Sequence, residues 1–177
     1  DIALVNGGGM RTALPKGDIS FSTAYTVLPF ANVLIELRLS GRQILEVLED
    51  AFANHLDRNG SNGSHPYAAG LRWDLDMSRP RGSRLANVEI KSRADGAWQA
   101  LEPAASYTVV TSDFLAMGGD GYSTLAQIHL AGGSVNTYLN YTQTFVDYLL
   151  AQGRVSRPAA ADYSHKTVIS RAGRQLP

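Results

Sequence analysis

Ile2 to Val5 is a short apolar run that ends on Asn6-Gly7-Gly8-Gly9-Met10-Arg11, which predicts a strand running into a glycine loop. Val33 to Leu39 alternates, with Val33, Ile35, Leu37 and Leu39 on one face and Glu36 and Arg38 on the other, the signature of a half-buried strand. Ser40 then stands three residues before Gln43, as in a capping box. Ile44, Leu45, Leu48, Phe52 and Leu56 follow at helical spacing until Asn59-Gly60, so the spacing predicts a helix over 41–57. Residues 60–66 read as a surface loop inside the domain, because apolar patterning resumes at once. Further strands are predicted at Gly70 to Leu75, Leu85 to Lys91 and Ser106 to Ser112. The last of these runs into a second glycine-rich segment, Asp113 to Tyr122. A helix from about Thr137 to Gln152 places Tyr141, Phe145 and Leu149 four residues apart, with Gly153 as its stop. One short strand closes the pattern at Thr167-Val168-Ile169.

Strands in runs with irregularly interleaved helices define an α+β domain of mixed sheets and a few packed helices rather than regular βαβ winding. The 177 residues suit a single domain, residues 1–177, and are 44% hydrophobic and 18% charged, enough for an ordinary core. The chain has no cysteine, which removes disulfide scaffolds, cysteine-ligated zinc, iron–sulfur clusters and thiol nucleophiles. Sixteen basic residues balance sixteen acidic ones, so no global field favours a nucleic acid polymer. No apolar run approaches the roughly 20 residues of a membrane span. No secretory leader opens the sequence, and Asp1 sits at the start of a strand with no initiator Met, as expected of a piece of a longer chain.

Metal and nucleophile chemistry find little support. His55, His65, His129 and His165 show no i, i+4 pairing, and a structural role is expected for each; for His55 the end of a helix is a favourable place. Asp74 and Asp76 share one strand face near a turn, which does not make a metal motif, and no serine sits in a G-x-S-x-G elbow. Arg72, Arg79, Arg81 and Arg84 cluster around Pro80 and read as a solvated hairpin, since no aromatic stripe interleaves them.

The glycine segments carry more. Glycines let backbone N–H groups approach a ligand, although three glycines after a strand equally serve a tight turn. Neither segment is a P-loop or a dinucleotide fingerprint. Their neighbours are informative: Arg11 offers a planar donor fork, Asp120 is an acceptor flanked by glycines, Phe114 stands before the glycines of the second segment, and Phe30 lies in an apolar Leu28-Pro29-Phe30-Ala31 turn downstream of the first. An aromatic face can stack a planar base.

Four ordered segments, Asn6 to Arg11, Val27-Leu28-Pro29-Phe30, Leu37 to Gly41 and Asp113 to Tyr122, together resemble the C-terminal domain of the 5′-nucleotidase family, over about residues 2–157. That family includes UDP-sugar hydrolases, 2′,3′-cyclic phosphodiesterases and ecto-5′-nucleotidases. The resemblance implies that Phe30 and Phe114 sandwich the base, that Asn6 and Arg11 contact the nucleoside and phosphate, and that Asp120 binds ribose hydroxyls, with Gly8, Gly9, Gly118 and Gly119 lining the loops. It implies no catalytic residue and no metal ligand in this chain. The catalytic work belongs to an N-terminal metallophosphoesterase domain with a divalent metal pair of Zn, Mn or Co type, whose D-x-H and G-N-H-E/D motifs are absent here. A further substrate arginine of the family would precede Asp1. The implied whole is a periplasmic or extracellular hydrolase of nucleoside phosphate esters, with this chain as its substrate-recognition domain, inactive alone. The alternative is a stand-alone binding or interaction module without a catalytic role.

Overall fold

The computed structural model describes residues 1–176. The first sheet has five strands in the order β3-β1-β7-β2-β8, built from β1 (Ile2–Asn6), β2 (Val33–Ser40), β3 (Pro66–Ala69), β7 (Ser106–Ser112) and β8 (Ser134–Asn140). The second has four in the order β6-β5-β4-β9, from β4 (Leu71–Asp76), β5 (Leu85–Lys91), β6 (Trp98–Ala100) and β9 (His165–Ile169). Both are mixed: β1 pairs parallel with β7 and antiparallel with β3, while β4 pairs parallel with β9 and antiparallel with β5. The helices are α1 (Phe21–Val27), α2 (Gly41–Leu56), α3 (Asp113–Ala116), α4 (Ser123–Leu130) and α5 (Tyr141–Gln152).

The alternation of β2 buries Ile35, Leu37 and Leu39, and α2 buries Ile44, Val47, Leu48, Ala51, Phe52 and Leu56. These join Leu4 and Val109 of the first sheet, and Leu71, Trp73 and Leu75 of the second, in one apolar core. The predicted capping box forms: Gln43 N donates to Ser40 Oγ at 3.2 Å, and Ser40 N donates to Gln43 Oε1 at 2.8 Å.

The predicted helix from Thr137 begins four residues late. Residues 137–140 belong to β8, which pairs with β2 through a bulge where Val33 faces Asn140 and Ile35 faces Asn136. Thr137 Oγ1 donates to Leu34 O at 2.7 Å, and Asn140 caps α5 by accepting from Gln143 N at 2.9 Å. Within α5 the buried positions are Thr142 and Val146, beside rather than on the Tyr141–Phe145–Leu149 line.

The arginine cluster also departs from expectation. Arg84 is buried, not solvated: its Nη2 donates to Asp57 Oδ1 at 2.6 Å and its backbone N–H to Glu49 Oε1 at 3.1 Å. Arg81 pairs with Asp50, itself fully buried, whose Oδ2 accepts from Ser123 Oγ (2.8 Å), Thr124 N (2.7 Å) and Thr124 Oγ1 (2.8 Å). One carboxylate on α2 thus ties the β4–β5 hairpin to the start of α4, directly behind the second glycine segment. Asp74 and Asp76 serve the same hairpin, accepting from Asn87 and from Ser78 and Arg79.

Candidate functional site

The site grows from the ends of two neighbouring strands. β1 and β7 are adjacent and parallel, so the glycine segments that follow them leave the sheet at the same end of its strands. Side by side, the loops meet through one bond, in which Asn6 Nδ2 donates to Asp120 Oδ2 at 2.7 Å. Asn6 is buried at the strand end, and Asp120 holds a left-handed backbone (φ 53°) between Gly118 and Gly121, which are left-handed too. A non-glycine residue kept in that region is a strained position that its surroundings must enforce.

Close approach explains the glycines on either side. A Cβ at Gly9 would lie 2.9 Å from Asn6 Oδ1, and one at Gly8 would lie 3.2 Å from the Gly63 Cα. A Cβ at Gly119 would lie 2.5 Å from the ring of Phe114, so this ring rests directly over the loop backbone. Phe114 remains 43% exposed and Phe30 45% exposed, a large apolar area left open to solvent beside polar groups. The Arg11 side chain is also exposed, with a single long contact from Nη1 to Gly8 O at 3.4 Å. Its guanidinium is therefore free to meet an anion.

Three features that hold this arrangement were not singled out from the sequence. Asn32 Nδ2 donates to Asp113 Oδ1 at 2.5 Å, and Asp113 also accepts from Phe114 N at 2.8 Å, which ties the Phe30 segment to the Phe114 segment. The buried Tyr122 donates its hydroxyl to Ser64 O at 2.8 Å, and burial first, then the charge of Asp120, pushes that phenol well above its ordinary value. The stretch expected to be a plain surface loop contains a 3-10 turn, Asn62–Ser64, with Ser64 buried, and His65 O accepts from Gly7 N at 2.8 Å. This turn braces both glycine loops. The sequence held a partial signal, since Asn32 and Asp113 each stand within two residues of a site phenylalanine.

The four histidines do not gather into a metal site, and no group of three or more His, Asp or Glu side chains is placed to hold a metal among the described residues. Two of them do meet: His65 Nε2 and His165 Nε2 lie 2.8 Å apart.

The chain is an α+β domain whose parallel central strands β1 and β7 present two glycine loops, a left-handed acidic residue and two open aromatic rings. Residues 1–127 match the family described as 5′-nucleotidase, C-terminal domain, and the chain belongs to that family. A probable 5′-nucleotidase of Treponema pallidum is 34% identical over 152 residues, covering 85% of this chain but 25% of that protein. The solved structure of the NAD nucleotidase of Haemophilus influenzae superposes with a TM-score of 0.86 at 30% identity, covering 94% of this chain and 29% of the other. A 5′-nucleotidase precursor from Thermus thermophilus gives 0.79 at 37% identity, covering 93% of this chain and 31% of that one. The chain thus spans about a quarter of the length of the curated relatives it matches.

Proposed function

We propose that this chain is the nucleoside-recognition domain of a phosphohydrolase that cleaves nucleoside phosphate esters. In this reading Phe30 and Phe114 stack the base, Asp120, oriented by Asn6, accepts from ribose hydroxyls, and Arg11 meets the phosphate. The glycines at positions 8, 9, 118 and 119 leave room for that approach. The single observation that carries the reading is the Asn6–Asp120 bond, which unites the two loops beside two exposed phenylalanines.

The chemistry divides accordingly. The described residues offer no set of side chains fitted to a divalent ion; in this reading a Zn, Mn or Co pair would be held by an N-terminal metallophosphoesterase domain and would supply an activated water nucleophile there. This chain binds and orients, converting a diffusional encounter into a positioned one. The whole protein works in the periplasm or outside the cell, as the relationship to 5′-nucleotidases suggests.

Titration of residues 1–177 with adenosine or AMP, followed by amide chemical shifts, tests the reading. Binding is expected at roughly 0.1–10 mM, because each stack contributes about 1–3 kcal/mol and only part of the whole site is present. Shifts clustering away from residues 6–11, 30 and 113–122 would refute it.

A further inference from the structure

The imidazoles of His65 and His165 bridge the two sheets. His65 immediately precedes β3 of the first sheet, and His165 opens β9 of the second. Their Nε2 atoms are 2.8 Å apart, and the ring planes are inclined by only 20° with centroids 4.8 Å apart, so the two nitrogens face each other nearly in the ring planes. Phe52, Tyr67 and Trp73 wall them in. The backbone of the same His65 accepts from Gly7 N, the first residue of the glycine loop that follows Asn6. A path of two hydrogen bonds therefore runs from the second sheet to the candidate site.

We propose that His165 is a positioning residue of that site, acting through His65 to hold the Gly7–Gly9 loop against the Ser61–His65 turn. The proposal rests on the nucleoside reading only for what the loop binds; the mechanical link is independent of it. The bond has a definite proton inventory. Ser164 Oγ lies 3.1 Å from His165 Nδ1, so a His165 that donates there presents a bare Nε2 to accept from His65 Nε2–H. A first added proton is tolerated on His65 Nδ1. A second puts hydrogen on both Nε2 atoms, and the contact must open.

The groups facing the pair make that second proton effective. His55 of α2 and Tyr67 of β3 are the titratable neighbours, and among the described residues no carboxylate hydrogen-bonds either ring. Burial first, and His65 second, hold His165 down to about 4, while burial and then His55 keep His65 below its ordinary value.

The test follows imidazole nitrogens and the Gly7 amide together by NMR from about pH 7 to about pH 3, through the whole second step, with uridine as the probe ligand because it carries no group that titrates there. The Gly7 amide shift is expected to track the second histidine step, with uridine affinity falling at least about fivefold across it. His165→Phe keeps a ring against Trp73 but has no Nε2; it is expected to abolish the pH response of Gly7 and to weaken uridine binding at neutral pH. A Gly7 amide that stays fixed while both histidines titrate would overturn the proposal, as would ordinary midpoints for both rings; these wild-type readouts decide even if the variant does not fold. Failure of uridine to bind at any pH, with the Gly7 response intact, would leave the positioning link standing and refute the nucleoside reading alone.

Discussion

At the level of single residues, Phe30 and Phe114 separate binding from stability. Each ring is about half exposed, so truncation removes little buried area. Phe30→Ala or Phe114→Ala is expected to cost less than about 1.5 kcal/mol in denaturant unfolding, against roughly 3–5 kcal/mol for a buried Phe→Ala. In the full-length phosphohydrolase proposed above, the same change should lower kcat/KM for AMP by a factor equivalent to about 1–3 kcal/mol and leave a small aryl phosphate nearly untouched. A large stability loss with equal effects on both substrates would mean that the rings serve the core. Gly119→Ala is a finer probe, since its Cβ would displace the Phe114 ring without touching ring chemistry. Nucleoside affinity should fall by part of the stacking contribution while stability changes by less than about 1 kcal/mol, as paired titration and unfolding measurements would show. The sequence displayed Asn6, Arg11, Phe114 and Asp120 as candidates because each is chemically conspicuous beside a glycine run, and Phe30 through the Val27-Leu28-Pro29-Phe30 segment that resembles the family. It hid Asn32, Asp113 and Tyr122, whose contribution depends on contacts 58 to 81 positions apart in the chain.

At the level of elements, Asp50 is the side chain on which most depends. It lies on α2, caps the start of α4 and pairs with Arg81, all from a fully buried position. Asp50→Ala leaves three donors and a guanidinium without their acceptor and is expected to destabilise the domain by roughly 3–5 kcal/mol in urea unfolding. Asp50→Asn should cost less, because an amide oxygen can still accept from Thr124. What periodicity could and could not reveal is clearest in β8. The apolar line through Tyr141, Phe145 and Leu149 extends the helix backward on paper, but Asn140 caps it and Thr137 is spent on Leu34 O. A bulged edge strand has no clean period of two, so pattern alone could not find it. The elements α1, α4, β3 and β6 escaped notice for a related reason: each has eight residues or fewer and is stabilised by neighbours rather than by its own pattern. By contrast β2 and α2, long and strictly periodic, were legible almost to the residue.

At the level of the whole molecule, acid sensitivity has a definite sign. His65 and His165 both lie below the ordinary histidine value in the folded state, His165 at about 4. They bind protons more readily when unfolded, so the stability they contribute is complete above about pH 6.5 and is lost as the pH falls from there toward about 4. Denaturant unfolding between these limits should show stability falling by up to about 1.4 kcal/mol per pH unit for each histidine that is neutral when folded and charged when unfolded. His165→Phe should flatten part of that slope. The chain alone is expected to release no phosphate from AMP with added Mn²⁺, Zn²⁺ or Co²⁺, as a phosphate assay on repurified residues 1–177 would establish; metal-dependent turnover lost on substituting Asp74 or a histidine would contradict it.

The parallel pairings of the two sheets also set an order of events on the ribosome. β1 precedes every other strand of its sheet, yet its parallel partner β7 begins at Ser106, and β4 waits for β9, which begins at His165. Neither sheet can close until the chain between has emerged, and loop closure over such spans is slow compared with local helix formation. Until then the apolar run Ile2 to Val5 has no permanent neighbour on its β7 side. The glycine loops, which need β1 and β7 side by side, are therefore assembled only after most of the chain has been synthesised, and a nascent chain stalled before Ser112 would carry Asn6 and Arg11 without the Asp120 that completes them.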